Sequence, residues 1–435
     1  MEFVQIKQSG DYKKIARVFQ KRDDLTMDEE KTVFGILRDV KAKGDKALVS
    51  YSRKFDYPKF TVKSIKLDFK EIALAKKNVP ADFIKTLGKA VKNITEFHQA
   101  EKKRITSWEK KKHGVVIGQK VVPIEKIGVY VPSGRAPLCS TVLMNIIPAQ
   151  VAGVEKITLC TPLDKNGKVN SYILTAVNLL GIKEIYCLGG AQAIGAMAYG
   201  TETVPKVDKI VGPGNIYVAL AKKMVFGNVG IDSFAGPSEV LIIADDSADP
   251  KFIAADLLSQ AEHDTDAQSI LITDSLLLAK SVEKEVNIQK KSLSRENIID
   301  ASLEKNGMII IVDDLDKAID LVNLKAPEHL ELMVKNPMDL LKKVKNAGAV
   351  FLGNFTPEAV GDYWAGPNHV LPTGGTARFS SGLSVYDFIK RTNYMSYSKS
   401  TLEKVNMEIA KIAEVEGLTA HANSVQIRRN THINQ

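Results

Sequence analysis

Two runs of short apolar segments, each segment parted from the next by a stretch of helical spacing, constrain this chain more than any other feature. The first run is Ile127–Val131, Lys156–Cys160, Glu184–Leu188 and Lys209–Val211. The second is Val240–Ala244, Ile270–Thr273, Met308–Val312 and Ala349–Leu352. A strand that is apolar on both sides leaves no face for water. It belongs in a parallel sheet covered by helices above and below. The fold class is therefore α/β, with two Rossmann-like, incomplete doubly wound units. Their junction falls near Gly230–Ser238.

Helical segments flank these units. Thr26–Glu30 reads as a helix start with acids in its first turn, and Val33, Ile36, Leu37 and Val40 follow at helical spacing. Phe69–Glu101 is a second helical region, broken at Pro80. Near the end, Thr401–Val415 is amphipathic, with Val405, Ile409 and Ile412 on one face, and the last dozen residues read as loose. The division expected is 1–120 mainly helical, 121–237 and 238–380 as the two α/β units, and 381–435 as a helical tail.

A length of 435 residues with 44% hydrophobic content suits a folded chain of several domains. No stretch of about 18 uninterrupted apolar residues is present, so no membrane partner is expected. The N-terminus carries acid and lysine where a secretion signal needs an apolar core. Cys139, Cys160 and Cys187 form no CxxC spacing, which fits a reducing cytoplasm and points away from thiolate metal sites. Residues 1–120 hold 29 Lys and Arg against 16 Asp and Glu, whereas the rest hold 31 against 35. The basic stretches Lys102–Arg104 and Lys110–Lys112 are therefore candidates for nucleic-acid contact. Interleaved acids and the lack of aromatic platforms favour a solvated helical surface instead, with no nucleic-acid partner.

Ligands of open parallel sheets bind beyond the carboxyl ends of the strands. Glycine-containing turns stand there: Pro132–Pro137, Gly189–Gly195, Gly212–Asn215 and Ala235–Glu239. They suit a phosphate-bearing ligand, though none is a dinucleotide or P-loop fingerprint. Four of the seven histidines sit beside acids or amides. Gln260 and His263 stand three apart, which places an amide and an imidazole on one helix face. Asp362 and His369 share a loop-like stretch. Glu328 and His329 follow Pro327, which suits a helix's first turn. Glu416 and His421 flank a turn after the final helix. Oxygen and imidazole donors are what a thiolate-free zinc site requires, and a Glu/His pair suits proton transfer.

These residues lie in stretches that resemble histidinol dehydrogenases: IGVYVPSGRAPLCSTVLM, GGAQAIGAMAYGTETVPKVDKIVGPGN, AGPSEVLIIAD, DLLSQAEHD, APEHLEL, GAVFLGNFTPEAVGDYWAGPNHVLPT and EGLTAHANSVQIR. The resemblance implies zinc- and NAD+-dependent oxidation of L-histidinol through L-histidinal to L-histidine. It implies Gln260, His263, Asp362 and His421 as ligands of one zinc per subunit. His421 would come from the partner of an intertwined homodimer, with residues 381–435 swapped onto that partner. Glu328 and His329 match the acid/base pair. Ser238, His369 and Glu416 match substrate-contacting positions, joined there by Glu328 and the zinc ligands. Tyr130, Gln192 and Asn215 match NAD+ contacts in the 121–237 unit. Ser133 and Cys139 depart from the family pattern. Rival readings are a zinc- and NAD+-linked dehydrogenase of another small polar alcohol, a zinc hydrolase, and a thiol-based aldehyde dehydrogenase using Cys139, beside which no base stands.

Overall fold

A computed structural model describes residues 1–6, 9–20, 27–133, 138–234 and 236–429. It divides into two compact units, Met1–Ala100 with Ile124–Phe388, and Glu101–Pro123 with Ile389–Gln435.

The larger unit contains two parallel sheets. In the first, strands run in the order Glu184–Tyr186, Lys156–Cys160, Lys126–Tyr130, Lys209–Val211, Gly230–Ile231. In the second the order is Glu2–Gln5, Met308–Ile311, Gln268–Thr273, Glu239–Ala244, His329–Met333, Ala349–Leu352. The earliest strand of each run lies inside its sheet, with later strands added on both sides. That is the doubly wound pattern expected from the apolar runs.

Burial explains why these strands read as continuous apolar runs. Every residue of Glu239–Ala244 is buried. Val240 and Ile242 enter a core with Leu257 and Ile309, while Leu241 and Ile243 enter another with Ile272 and Leu330. Successive side chains point to opposite faces, so a strand between two helix layers must be apolar throughout.

Several local expectations are corrected. His329 does not open a helix; it is the first residue of the interior strand His329–Met333. Glu331 inside that segment breaks its apolar pattern and hides the strand. Glu2–Gln5 adds a parallel edge strand beside Met308–Ile311. Lys110–Lys112 belongs to the exposed strand Trp108–Lys112, not to a helical surface. Of the expected helix start at Thr26, only Met27 onward falls among the described residues, and Asp28, Glu29 and Glu30 do occupy its first turn.

The smaller unit is built on an antiparallel sheet ordered Ile389–Tyr397, Val115–Pro123, Trp108–Lys112. Helices Lys399–Val415 and Thr419–Gln426 follow. His421 therefore sits within a helix; of the last dozen residues, 424–429 complete that helix and a 3-10 turn at Ile427–Arg429, and 430–435 lie outside the described residues. Helix Lys399–Val415 buries Asn406, Ala410 and Ala413. Its expected apolar face is turned outward, with Ile409 and Ile412 exposed and Val405 half-buried.

Candidate active site

In the six-stranded sheet the candidate residues gather at the amino edge, contrary to the carboxyl-edge expectation. Glu239 and His329 each begin a strand, and register pairs His329 with Val240 and Ala349. Helix Pro250–Ala261 runs back across the sheet, so its C-terminal end brings Gln260 to the same edge. His263 lies just beyond that helix, where its backbone N–H donates to the Gln260 carbonyl at 3.1 Å. The two thus straddle a helix end and do not share one helix face, because the helix stops at Ala261. Asp362 stands on the short helix Glu358–Tyr363. The segment before His329 is strained: Ala326 takes a left-handed φ of 52°. Such strain costs a non-glycine residue about 1–3 kcal/mol and concentrates at functional sites.

Backbone groups of Glu239 hold Glu328 and His329. Its N–H donates to Glu328 Oε2 at 2.9 Å, and its carbonyl lies 3.1 Å from His329 Nδ1. Gln260 Nε2, itself a donor, stands 3.2 Å from Nδ1 and makes no hydrogen bond to it once that nitrogen carries the ring hydrogen. A carbonyl only accepts, so the contact with Glu239 assigns the ring hydrogen to Nδ1. Nε2 is then the basic nitrogen. It is buried without a hydrogen-bond partner and lies 3.7 Å from Asp362 Oδ1. The Glu239 carboxylate in turn meets Lys325 Nζ at 2.7 Å, both residues being buried.

Charge is crowded here. Burial pushes Glu328 up to about 7 and Glu358 up to about 8, partly opposed by His329. Burial lowers the His329 pKa, but Glu358, Glu328 and Asp362 outweigh it and raise the ring to about 10. Burial also raises Asp362, yet His329, His369 and His263 hold it below the usual range. This is a pocket with more negative charge than it can neutralise, the condition a bound cation relieves.

The donor set fits zinc. His263, Glu358 and Asp362 each offer a ligand atom, all within 4.8 Å of one another. Gln260 Oε1 and Glu358 Oε2 are buried without hydrogen-bond partners. Nitrogen and oxygen donors of this kind suit a borderline cation. Glu358 was not read from the sequence, although Pro357 before it and Asp362 one helical turn later are the signal. His369 joins the group: its Nδ1–H donates to the Asp362 carbonyl at 3.0 Å, which leaves Nε2 as an acceptor. Ser238, half-buried, leads into the Glu239 strand. Glu416 and His421 belong to the smaller unit, where both are exposed.

On the five-stranded sheet the carboxyl edge is the shaped one. The Tyr130 hydroxyl accepts the Gly190 N–H at 3.0 Å. Gln192 Nε2 donates to Asp56 Oδ2 at 3.4 Å, and the Asn215 Oδ1 accepts the Val218 N–H at 3.2 Å, capping helix Ile216–Val225. Gly212 has φ 116° and its Cα packs against the Tyr130 carbonyl, where a Cβ would overlap. Its N–H donates to Asp232 at 2.7 Å, and its carbonyl accepts from Lys222 at 2.9 Å. Lys222 and Asp232 form a buried ion pair. Sequence reading missed this clamp because its members lie 10 and 20 residues beyond the turn they hold. Of the turn at Pro132–Pro137, residues 134–137 lie outside the described residues, as does Ala235.

Asp56 accepts from Gly189 and Gln192, and burial pushes its carboxyl up to about 6. Between the ordinary carboxylate range and pH 6 the folded chain therefore binds a proton that the unfolded chain has released. Stability from this group is full below that range and is lost as pH rises through about 6, with a slope of up to about 1.4 kcal/mol per pH unit. Thermal melts of Asp56→Asn against the parent should show that slope removed. An unchanged pH profile would reject the assignment.

Comparison with known proteins identifies the family. A family model described as histidinol dehydrogenase matches residues 20–429. Histidinol dehydrogenase of Clostridium acetobutylicum is 53% identical over 92% of each chain, and that of Aquifex aeolicus is 51% identical over 94% of this chain and 95% of its own. The solved structure of histidinol dehydrogenase from Elizabethkingia anophelis superposes with a TM-score of 0.92 at 42% identity, covering 98% of both chains. The chain belongs to the histidinol dehydrogenase family, oxidoreductases of histidine biosynthesis.

Proposed function

We propose that this chain carries out the two-step oxidation of L-histidinol to L-histidine, using NAD+ and one zinc ion per subunit. The observation that supports this most is the meeting of His263, Glu358 and Asp362 beside the free nitrogen of His329. Gln260, His263 and Asp362 would hold the zinc together with His421 of the partner subunit. When bound, zinc supplies a template for the imidazole and amino nitrogens of the substrate, and NAD+ supplies a hydride acceptor.

The chain's own groups then move protons. His329 Nε2 takes the hydroxyl proton of the alcohol, and the Glu239 carbonyl keeps the ring in the required tautomer. Glu328 takes a proton from the water that adds to the aldehyde, giving a gem-diol. His329 acts again on one of its hydroxyls. Ser238, His369 and Glu416 contact substrate, and Tyr130, Gln192 and Asn215 line the NAD+ side. Cys139 has no part, since burial raises its thiol and so disfavours the thiolate.

The outward apolar face of helix Lys399–Val415 supports a homodimer in which residues 381–435 pack on the partner. Three free cysteines and a biosynthetic role support a cytoplasmic enzyme.

The decisive assay is NADH release from L-histidinol, before and after chelation and after zinc add-back. Turnover that survives chelation, or that needs no NAD+, would sink the reading. Glu328→Gln should slow histidinal oxidation more than histidinol oxidation, since only the former needs water activation. The reverse order would reassign Glu328.

A further inference from the structure

The buried Lys222–Asp232 ion pair closes on the main chain of a single glycine. Asp232 Oδ2 accepts the Gly212 N–H at 2.7 Å, and Lys222 Nζ donates to the Gly212 carbonyl at 2.9 Å. Each of the two side chains is only 3% exposed. Burying two charges carries a desolvation cost that their mutual attraction does not always repay, so such a pair is weak evidence for stability. Apolar residues of similar volume would fill the same space as well or better. They could not supply an acceptor and a donor aimed at the two sides of one residue.

That residue is where several elements converge. Gly212 opens the turn after strand Lys209–Val211. Strand Gly230–Ile231 pairs with Lys209–Val211 and leads into Asp232, whose own N–H donates to the Ile210 carbonyl at 3.2 Å. Helix Ile216–Val225 carries Lys222 two turns beyond its cap, Asn215. Helical side chains lean toward the helix N-terminus, so Lys222 reaches back to the turn that starts its own helix. On its other side Gly212, at φ 116°, lies against the Tyr130 main chain, where a Cβ would overlap the Tyr130 carbonyl. At the far end of the turn Asn215 is exposed, and its Oδ1 is taken by the Val218 N–H. The amide's N–H donors are then what Asn215 can offer a ligand.

We infer that Lys222 and Asp232 are positioning residues for the cofactor: their ion pair holds the Gly212–Asn215 turn in its NAD+-accepting shape before NAD+ arrives. Burial keeps both side chains from touching the cofactor, and pairing with Asp232 withholds the Lys222 charge from its phosphates. The gain is preorganisation, since the turn is ordered during folding and not at the expense of binding. In its consequence for NAD+ the inference rests on the function proposed above; the preformed turn does not.

The test uses the full-length zinc-loaded enzyme. In Lys222→Met/Asp232→Leu, apolar side chains of similar volume replace the pair. Melting temperature should stay within a few degrees of the parent or rise, while zinc content and KM for L-histidinol stay unchanged. The kcat/KM for NAD+ should fall about 10–100-fold, mostly through KM, because a contact misplaced by about 1 Å can cost about 100-fold. Adding Asn215→Ala to this variant should cost less than Asn215→Ala costs the parent, since ion pair and contact act through one turn. An unchanged KM for NAD+ overturns the proposal. So do full additivity with Asn215→Ala and a parallel loss of melting temperature, zinc and histidinol affinity, which a merely structural pair would give. A measurement on the parent alone decides the matter if the double variant does not fold. Without NAD+, hydrogen exchange over residues 209–216 should already be slow at the Gly212 amide. Fast exchange there that slows only on adding NAD+ overturns the preformed turn. If the parent releases no NADH from L-histidinol, the functional reading fails, while exchange at Gly212 still decides whether the ion pair holds the turn.

Discussion

His329→Asn should lower kcat for both oxidations by a factor of about 100 to 10,000, the range lost with a positioned general base. Asparagine can still donate an N–H toward the Glu239 carbonyl, so the strand start and its surroundings should hold. It offers no basic nitrogen where Nε2 stands, 3.7 Å from Asp362 Oδ1. Glu358, Glu328 and Asp362 pull the ring's pKa up to about 10, which stabilises the imidazolium once a proton has been taken. Positive charge gathered at the neighbouring ligands weakens that pull and restores the neutral ring that a base requires. On the proposed mechanism the same nitrogen serves both steps, so histidinol and histidinal oxidation should fall together while histidinol binding, followed by calorimetry, persists. A variant that loses only one half-reaction would separate the two bases.

His263→Asn should remove zinc and activity together. The imidazole stands beyond the Gln260 helix with its donor atom within 4.8 Å of those of Glu358 and Asp362. Asparagine is shorter and brings a weaker amide donor, so the site loses a ligand outright. The loss should exceed the about 10–100-fold seen when only a supporting residue is removed. Metal analysis after dialysis, paired with NADH release, measures both. Excess zinc should recover part of the activity, since Gln260 and Asp362 remain. Full activity with zinc content near zero would refute the metal's role.

Much of this fold is legible in the sequence, and the reason is burial on two faces. Strands such as Glu239–Ala244 and Lys156–Cys160 lie between helix layers, and their composition records it. Where a strand also serves chemistry, the record is lost. His329–Met333 carries a histidine and a buried glutamate, and it reads as anything but an interior strand. Trp108–Lys112 is wholly exposed, so no apolar alternation marks it. The outward face of Lys399–Val415 misleads in the opposite sense, since a helix made apolar for a surface looks like one made apolar for a core.

The candidate site divides in the same way. Gln260, His263, Glu328, His329, Asp362 and His369 could be named because their residue types and motifs resemble those of a known family. Glu331 and Lys325 could not. Each acts through a neighbour 27 to 86 positions away, or from an element whose place in the sheet is not written locally. Sequence by itself determined the two parallel sheets and the kinds of donor atom available, because side-chain periodicity and ligand chemistry are local properties. Only the tertiary structure decided that Glu328 and His329 sit at the amino edge of their sheet, which histidine nitrogen is free, and which buried carboxyls share that space. Those depend on which distant elements pack together and on how much water they exclude.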